Sequence, residues 1–176
     1  MTARKPLATL TTAPLAALLA SCATGNIGAP PPVADALRPP SSQTLALGAN
    51  ARGVQICRCA QAKDSARVEW AFVAPEAELF DGAGNRIGKH YAGPTWEAND
   101  GSKVVAAVKA SDAGPDANAI PWLLLVSKSN SGSGSFAHVQ SIQRVSTSGG
   151  KAPAGSCSPA GQELRVPYTA VYYFYS

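Results

Sequence analysis

The stretch RIGKHYAGPTWEANDGSKVVAAVK, residues 86–109, contains the signals that decide the fold. Short runs with aromatic or β-branched residues alternate here with turn sequences. One turn is Asn99-Asp100-Gly101, because these residue types tolerate the positive φ of tight hairpins. In the last run, apolar residues at every second position give one apolar and one wet face: Val104, Ala106 and Val108. The stretch therefore predicts three strands joined by turns, at residues 86–91, 95–98 and 103–109.

The same pattern continues on both sides of this stretch. Val68, Trp70 and Phe72 point to one face of a predicted strand, whereas PWLLLV, residues 121–126, is apolar on both faces and suits a central or covered strand. No long segment has apolar residues at helical spacing. The other predicted strands cover residues 54–60, 67–73, 77–80, 122–127, 136–145 and 164–175. We expect one all-β domain over residues 44–176, folded as a β-sandwich or a small closed β-barrel, with a β-trefoil as a further alternative.

The N-terminal residues have the features of an export signal. Two basic residues precede an apolar run, from about residue 7 to residue 20, that is too short to span a bilayer as a helix. The run ends in Leu19-Ala20-Ser21-Cys22, which resembles a bacterial lipobox. We expect residues 1–21 to be a lipoprotein signal peptide and Cys22 to carry acyl chains such as palmitate that anchor the chain in a membrane. The alternative is an ordinary signal peptide with a cysteine near its cleavage site.

The residues after Cys22 predict how the domain is held and where. Ala23 stands where an inner-membrane retention signal has aspartate, so we expect an exported protein anchored in the outer membrane and facing the periplasm. Residues 22–43 are rich in proline, alanine and serine and predict a semi-extended tether. The formal net charge of +4 includes Arg4 and Lys5, so removal of the signal leaves +2, which is too weak to indicate a nucleic-acid partner.

Six side chains of the quoted stretch are candidate site residues: His90, Tyr91, Trp96, Glu97, Asp100 and Lys103. On a functional interpretation, His90, Glu97 and Asp100 supply acid and base groups, and the other three bind a ligand through aromatic faces and a charge. On a structural interpretation, Trp96 is core, Asp100 caps the turn and Lys103 is solvated. Trp96 and Glu97 are adjacent on a strand and point to opposite faces, which favours the structural interpretation.

Three functions follow as hypotheses from these features. The leading one is a membrane-anchored binding or structural module without chemistry of its own, whose partner is a small molecule, a glycan or a protein. The second is a hydrolase acting on an envelope sugar or small ester with Glu97 or Asp100 as acid and base and His90 assisting. The third is an inhibitor of a foreign enzyme, presented by the loop at residues 129–135. The sequence predicts no cofactor, and His90 and His138 without a nearby carboxylate ligand predict no metal site.

Three cysteines follow Cys22 in the chain, at positions 57, 59 and 157. An odd number in a compartment that favours disulfides leaves one of them unpaired within the monomer. Cys57 and Cys59 lie two residues apart on a predicted strand and share a face, so Cys157 could bond to either.

Six segments of the domain carry a family resemblance: GVQICRCA, FVAPEAELFD, GKHYAGPTWEANDGSKVVAAV, AIPWLLLV, IQRVSTSGGKAP and VPYTAVYYFY. In this order they resemble the domain-of-unknown-function family numbered 3455, found in exported bacterial and fungal proteins. The resemblance covers nearly the entire domain. It implies a disulfide between Cys59 and Cys157 with Cys57 as the spare thiol. It implies little about activity, because the role of that family is not established.

Overall fold

Eight antiparallel strands close into one barrel in the computed structural model, which describes residues 27–62 and 66–176. Each strand pairs with the next along the chain, and β8 pairs with β1 to close the sheet. The strands are β1 Leu45–Gln61, β2 Val68–Phe80, β3 Arg86–Tyr91, β4 Thr95–Ala98, β5 Lys103–Asp112, β6 Trp122–Ser131, β7 Ser141–Gly149 and β8 Glu163–Tyr175. The all-β prediction is confirmed, and among the predicted alternatives the closed barrel is the one observed.

Several strand bounds differ from the prediction. β3 and β4 occupy the predicted residues, but β1 begins nine residues earlier than predicted, at Leu45. β2 runs without a break across Pro75, where two separate strands were predicted. The predicted strand at 136–145 is wrong in its first half, because Asn130 donates from its side-chain amide to the carbonyl oxygens of Phe136 and Val139 and holds them in a turn.

Small and large side chains share the interior of the barrel. Alanines on several strands leave room for large aromatic side chains from β4 and β8, as small barrels require. The inward-facing alanines are Ala49, Ala51, Ala77, Ala98, Ala106 and Ala170. Trp96 packs edge-to-face against Tyr172 and Phe174, with ring centroids 5.4 and 6.3 Å apart. Phe136, from the connection between β6 and β7, packs on Phe174 with centroids 4.6 Å apart. These aromatic side chains form one connected cluster in the interior of the barrel.

The two ends of the barrel are different. In a meander, alternate connections lie at the same end, so the β6–β7 connection shares an end with the β2–β3 and β4–β5 turns. Phe136 and Val139 from this connection are fully buried and close that end. The β3–β4 turn, the β5–β6 connection and the β7–β8 connection lie at the other end, which is open.

Residues 27–43 lie along the outside of the barrel, which differs from the expected tether. Leu37, in a short 3-10 helix at Asp35–Leu37, is fully buried, and its carbonyl oxygen accepts a hydrogen bond from the Gln143 side chain at 2.7 Å. The Tyr173 hydroxyl donates to the carbonyl oxygens of Gly28 and Ala29 at 2.9 and 3.2 Å. The segment docks because proline-rich backbone offers free carbonyl oxygens and the barrel wall supplies donors and apolar surface. Residues 22–26 of the predicted tether lie outside the described residues.

The signal peptide at residues 1–21 and the lipid attachment at Cys22 also lie outside the described residues. Within residues 27–62 and 66–176, no helix is long and apolar enough to cross a membrane.

Candidate functional site

The β3–β4 hairpin separates the predicted site residues onto two faces of the barrel wall. His90 on β3 pairs directly with Trp96 on β4, and both side chains face the interior. The neighbouring pair along the two strands is Lys89 with Glu97. Because successive side chains alternate, these two face outward. Residues that are close in the chain are therefore on opposite sides of the sheet, and the predicted acid and base groups do not converge.

His90 is a buried, neutral part of the interior. It is 3 % exposed, and its ring stacks on Trp96 with centroids 4.2 Å apart and an angle of 15° between the planes. Its Nδ1 donates to the carbonyl oxygen of Thr95 at 2.9 Å, which leaves Nε2 without the proton. Burial lowers the pKa of His90 to about 3. The imidazole is therefore uncharged at neutral pH, and its contacts among the described residues are Thr95, Trp96 and Tyr172 and include no carboxylate.

Glu97 belongs to a polar network on the outer surface. The Tyr91 hydroxyl donates to its carboxylate at 2.8 Å, and the ammonium groups of Lys89 and Lys103 lie 3.4 and 3.3 Å from its two oxygens. The hydrogen bond from Tyr91 and the bonds from the two lysines lower the pKa of Glu97. Tyr91 and Lys103, predicted as ligand contacts, thus pair with Glu97 instead of lining the interior with Trp96.

Asp100 joins the two connections at the closed end of the barrel. One carboxylate oxygen accepts from the backbone N–H and hydroxyl of Ser102, at 2.9 and 2.6 Å, and the other accepts from the same groups of Ser135, at 2.8 and 2.7 Å. The Ser102 hydroxyl in turn accepts from the backbone N–H of Phe136 at 3.0 Å. These bonds, led by that from the Ser102 side chain, hold the pKa of Asp100 far below its usual range. Asp100 therefore stabilises the connection that closes the barrel.

We expect Asp100→Ala to lower the melting temperature by several degrees, because four hydrogen bonds lose their acceptor and the connection carrying Phe136 is released. Ser135→Ala, which removes one donor of the four, is the matched control and should cost less. Thermal denaturation followed by circular dichroism at pH 7 measures both. Equal melting temperatures for Asp100→Ala and the wild type would show that the closed end does not depend on this carboxylate.

The loop at 129–135, predicted to present an inhibitory segment, is attached at one end to this carboxylate through Ser135. At its other end, Ser129–Ser131 continues β6 and pairs with β5. The loop is exposed, and both of its ends are held by hydrogen bonds.

The open end contains an apolar cavity of about 600 Å³, which the sequence did not predict. Its inner wall is formed by the stacked His90 and Trp96 together with apolar side chains of β6 and the ring of Tyr172. Trp96, predicted as either core or ligand contact, is both buried and part of this wall. The β6 side chains are Leu123 and Leu125, and Ile120, just before β6, also lines the inner wall. The cavity volume lies within the range of about 300–1,000 Å³ that is typical of small-molecule sites.

Exposed apolar side chains surround the mouth of this cavity. Phe72 is 60 % exposed, Val108 is 56 % exposed and Val73 is 48 % exposed. Val73 is an extra residue in β2, since Ile56 pairs with Ala74 while Cys57 pairs with Phe72. Beyond this bulge, β1 and β2 extend past the short β3–β4 hairpin. The alternation of residues 68, 70 and 72 correctly placed Trp70 and Phe72 on the same face of the strand. No local signal in the sequence showed that this face borders a cavity.

The polar groups in the cavity wall are few, and two of them have no partner. The side-chain nitrogen of Gln55 and the indole nitrogen of Trp96 are buried without a hydrogen-bond acceptor among the described residues. Arg144 on β7 also lines the cavity. The sequence offered one signal for Arg144, because it alternates with Ile142 on a strand face that should be apolar.

A disulfide joins Cys59 to Cys157, as the family resemblance implied, and closes 98 residues of chain. Cys157 lies in the β7–β8 connection, whose first residues reach the cavity mouth at Lys151 and Ala152. Cys57 is a free, buried thiol in the cavity wall, and burial raises its pKa. The disulfide therefore attaches part of the mouth to β1.

His138 lies far from His90, at the closed end of the barrel near Gln140 and Ser141. In the part of the chain that the structure describes, no group of three or more His, Cys, Asp or Glu side chains is arranged to hold a metal ion.

The fold and cavity together define the class of protein: an eight-stranded antiparallel barrel with an apolar cavity open at one end. The chain belongs to the family described as "Protein of unknown function (DUF3455)", whose model matches residues 40–176. No curated protein and no solved structure matches the chain significantly.

Proposed function

We propose that the barrel binds a small, largely apolar molecule in the cavity at its open end. The observation that carries this proposal is the combination of a cavity of about 600 Å³ with exposed Phe72, Val73 and Val108 at its mouth. Exposed apolar side chains cost free energy in water, and a bound apolar molecule would remove both them and itself from water. An eight-stranded barrel is wide enough either to be filled by side chains or to hold one small ligand.

The architecture supports a preformed site. The stacked pair of His90 and Trp96 gives the inner wall a fixed shape, and the Cys59–Cys157 disulfide restrains the connection at the mouth. A site that is ordered before binding loses less conformational freedom when the ligand arrives. The hydrolase hypothesis has no such support, since His90 is inside the barrel, Glu97 is outside and Asp100 is at the closed end.

We further propose that the protein acts outside the cytoplasm, held by lipid on Cys22 in the outer membrane and facing the periplasm. The lipobox-like Leu19-Ala20-Ser21-Cys22 supports the anchor, and a disulfide is typical of an oxidising compartment. Labelling cells with a palmitate analogue tests the anchor directly. Wild-type protein should carry the label and Cys22→Ala should not; an unlabelled wild type would remove the anchor.

Titration of the full-length chain with the neutral dye N-phenyl-1-naphthylamine should give saturable fluorescence enhancement at one site per barrel. We expect Phe72→Asp to weaken dye binding roughly tenfold, because losing the burial of one large apolar side chain costs about 1.5 kcal/mol or more. The variant should fold normally, since Phe72 is already 60 % exposed.

Leu45→Asp is the matched control for this titration. Leu45 is 44 % exposed and pairs with Tyr175 near the closed end, far from the cavity. It should bind the dye as the wild type does. Equal weakening by both substitutions would indicate a general surface effect, and absence of saturable binding to the wild type would contradict the proposed function.

A further inference from the structure

The polar groups of the cavity indicate the chemical class of its ligand, an inference that rests on the proposed binding function. Arg144 pairs with Leu123 of β6 and Tyr172 of β8. It follows the interior residue Ile142 by two positions, so its side chain also faces inward. A permanent positive charge thus lies in a wall that is otherwise mainly apolar.

The contacts of Arg144 leave part of its guanidinium group free. Its Nε and Nη2 both donate to the carbonyl oxygen of Pro121, at 3.1 and 2.9 Å. A guanidinium carries five N–H donors, so the two bonds to Pro121 and a further hydrogen bond to the Tyr172 hydroxyl leave some of its N–H groups available. Among the described residues, no carboxylate forms an ion pair with Arg144. The bond to Pro121 fixes the direction of the group while its charge remains unpaired.

The other charged and polar groups of the cavity also favour a ligand that carries negative charge or acceptor oxygens. Lys151 at the mouth adds a second positive charge, and the lining residues that the structure describes include no aspartate or glutamate. The unpartnered nitrogens of Gln55 and Trp96 are donors as well, on side chains that are 3 and 1 % exposed. The described polar groups of the lining are therefore mainly donors and cations, which suits a ligand that brings acceptor oxygens.

We propose that the ligand is an apolar molecule with a single carboxylate, whose apolar part fills the cavity and whose carboxylate binds the available N–H groups of Arg144. A carboxylate matches these donors because its two oxygens can accept two parallel N–H bonds from one guanidinium. The two cations among the described lining residues, Arg144 and Lys151, would favour an anion over a cation.

Isothermal titration of the full-length chain at pH 7 with four ten-carbon probes tests this inference: decanoate, decan-1-ol, decyltrimethylammonium and decyl phosphate. Decanoate should bind about tenfold or more tightly than decan-1-ol, because a charge-assisted hydrogen bond to Arg144 replaces a neutral one. Decyltrimethylammonium should bind more weakly than either. Tighter binding of decyl phosphate than of decanoate would overturn the assignment of a carboxylate.

Substitutions of the two cationic residues, Arg144 and Lys151, show which of them makes the cavity bind decanoate more tightly than decan-1-ol. In Arg144→Met the affinity for decanoate should fall about tenfold or more, towards that for decan-1-ol, whose own affinity should stay within about twofold. Lys151→Met removes the same charge at the mouth, where Lys151 donates to the carbonyl oxygen of Ala117, and should keep most of the preference. Arg144→Lys keeps the charge without the two-pronged geometry and should lose part of the preference. It also tests the role of Arg144 if Arg144→Met fails to fold.

The outcomes separate this inference from the proposed function. If decan-1-ol binds as tightly as decanoate, or if folded Arg144→Lys and Arg144→Met keep the full preference, the carboxylate inference is overturned while apolar binding stands. If neither the ten-carbon probes nor N-phenyl-1-naphthylamine bind the wild type, the proposed function fails and the inference fails with it.

Discussion

Replacing both Cys59 and Cys157 by alanine should lower the free energy of unfolding by about 4–5 kcal/mol, the largest effect expected of any change discussed for this chain. The disulfide closes 98 residues, from β1 to the β7–β8 connection. On the chain-entropy model, a crosslink over so many residues removes much of the conformational freedom of the unfolded chain. Most of the barrel, from the end of β1 through β7, lies inside the closed loop.

Urea denaturation of the oxidised wild type and of the double variant measures this effect. Cys57→Ala is the matched control, because Cys57 is a buried free thiol on the same strand, two residues from Cys59. It should cost only about 1 kcal/mol, the value for removing a small buried group. The double variant is preferred to a single one because Cys57 could otherwise compete for Cys157. A loss below about 1 kcal/mol in the double variant would show that the disulfide adds little to stability.

The free energy of unfolding should also fall by about 2–3 kcal/mol between pH 6.5 and pH 4.5. In the folded chain, burial lowers the pKa of His90 to about 3, whereas an exposed histidine titrates near 6.5. Above pH 6.5 both states hold a neutral imidazole, and the full stability is present. Below pH 6.5 the unfolded chain takes up a proton that the folded chain does not, so stability is lost by about 1.4 kcal/mol per pH unit. The loss ends near the folded pKa.

Chemical denaturation of the wild type and His90→Phe between pH 4.5 and pH 7.5 tests this dependence. Phenylalanine keeps a flat ring beside Trp96 but cannot take up a proton, so most of the slope should disappear. His138→Gln controls for the loss of a histidine elsewhere. The range stops at pH 4.5 because the lowered pKa values of Glu97 and Asp100 affect stability mainly as the pH falls through the usual carboxyl values of about 4.3 and 3.9. An unchanged slope in His90→Phe would show that other titrating groups cause the pH dependence of stability.

The fold class and the β3–β4 hairpin could be predicted because both depend on local signals. Alternation and turn residues placed Arg86–Tyr91 and Thr95–Ala98 within their observed bounds. Closure of the barrel could not be predicted in the same way, since it depends on pairing between β1 and β8, more than 100 residues apart in the chain. No periodicity within either strand indicates the partner that it will find.

The cavity could not be predicted from the sequence for a related reason. Alternation along β4 already set Trp96 and Glu97 on opposite faces and so argued against one cluster of the six candidate side chains. His90 and Trp96 therefore line the cavity, while Tyr91, Glu97 and Lys103 form a surface network. The remaining cavity residues come from several strands, and only the closed barrel brings them together.

The docked N-terminal segment limits how far the barrel can stand from a membrane. The described chain begins at Ile27, which packs against Gly48 and the ring of Tyr173. Ile27 follows Cys22 by five positions, and fully extended chain spans at most about 3.6 Å per residue. On the proposed anchor, Ile27 lies no more than roughly 18 Å from the lipidated cysteine. The point of attachment lies toward the closed end, since Ile27 packs beside Gly48 near the start of β1, whereas the cavity opens at the other end.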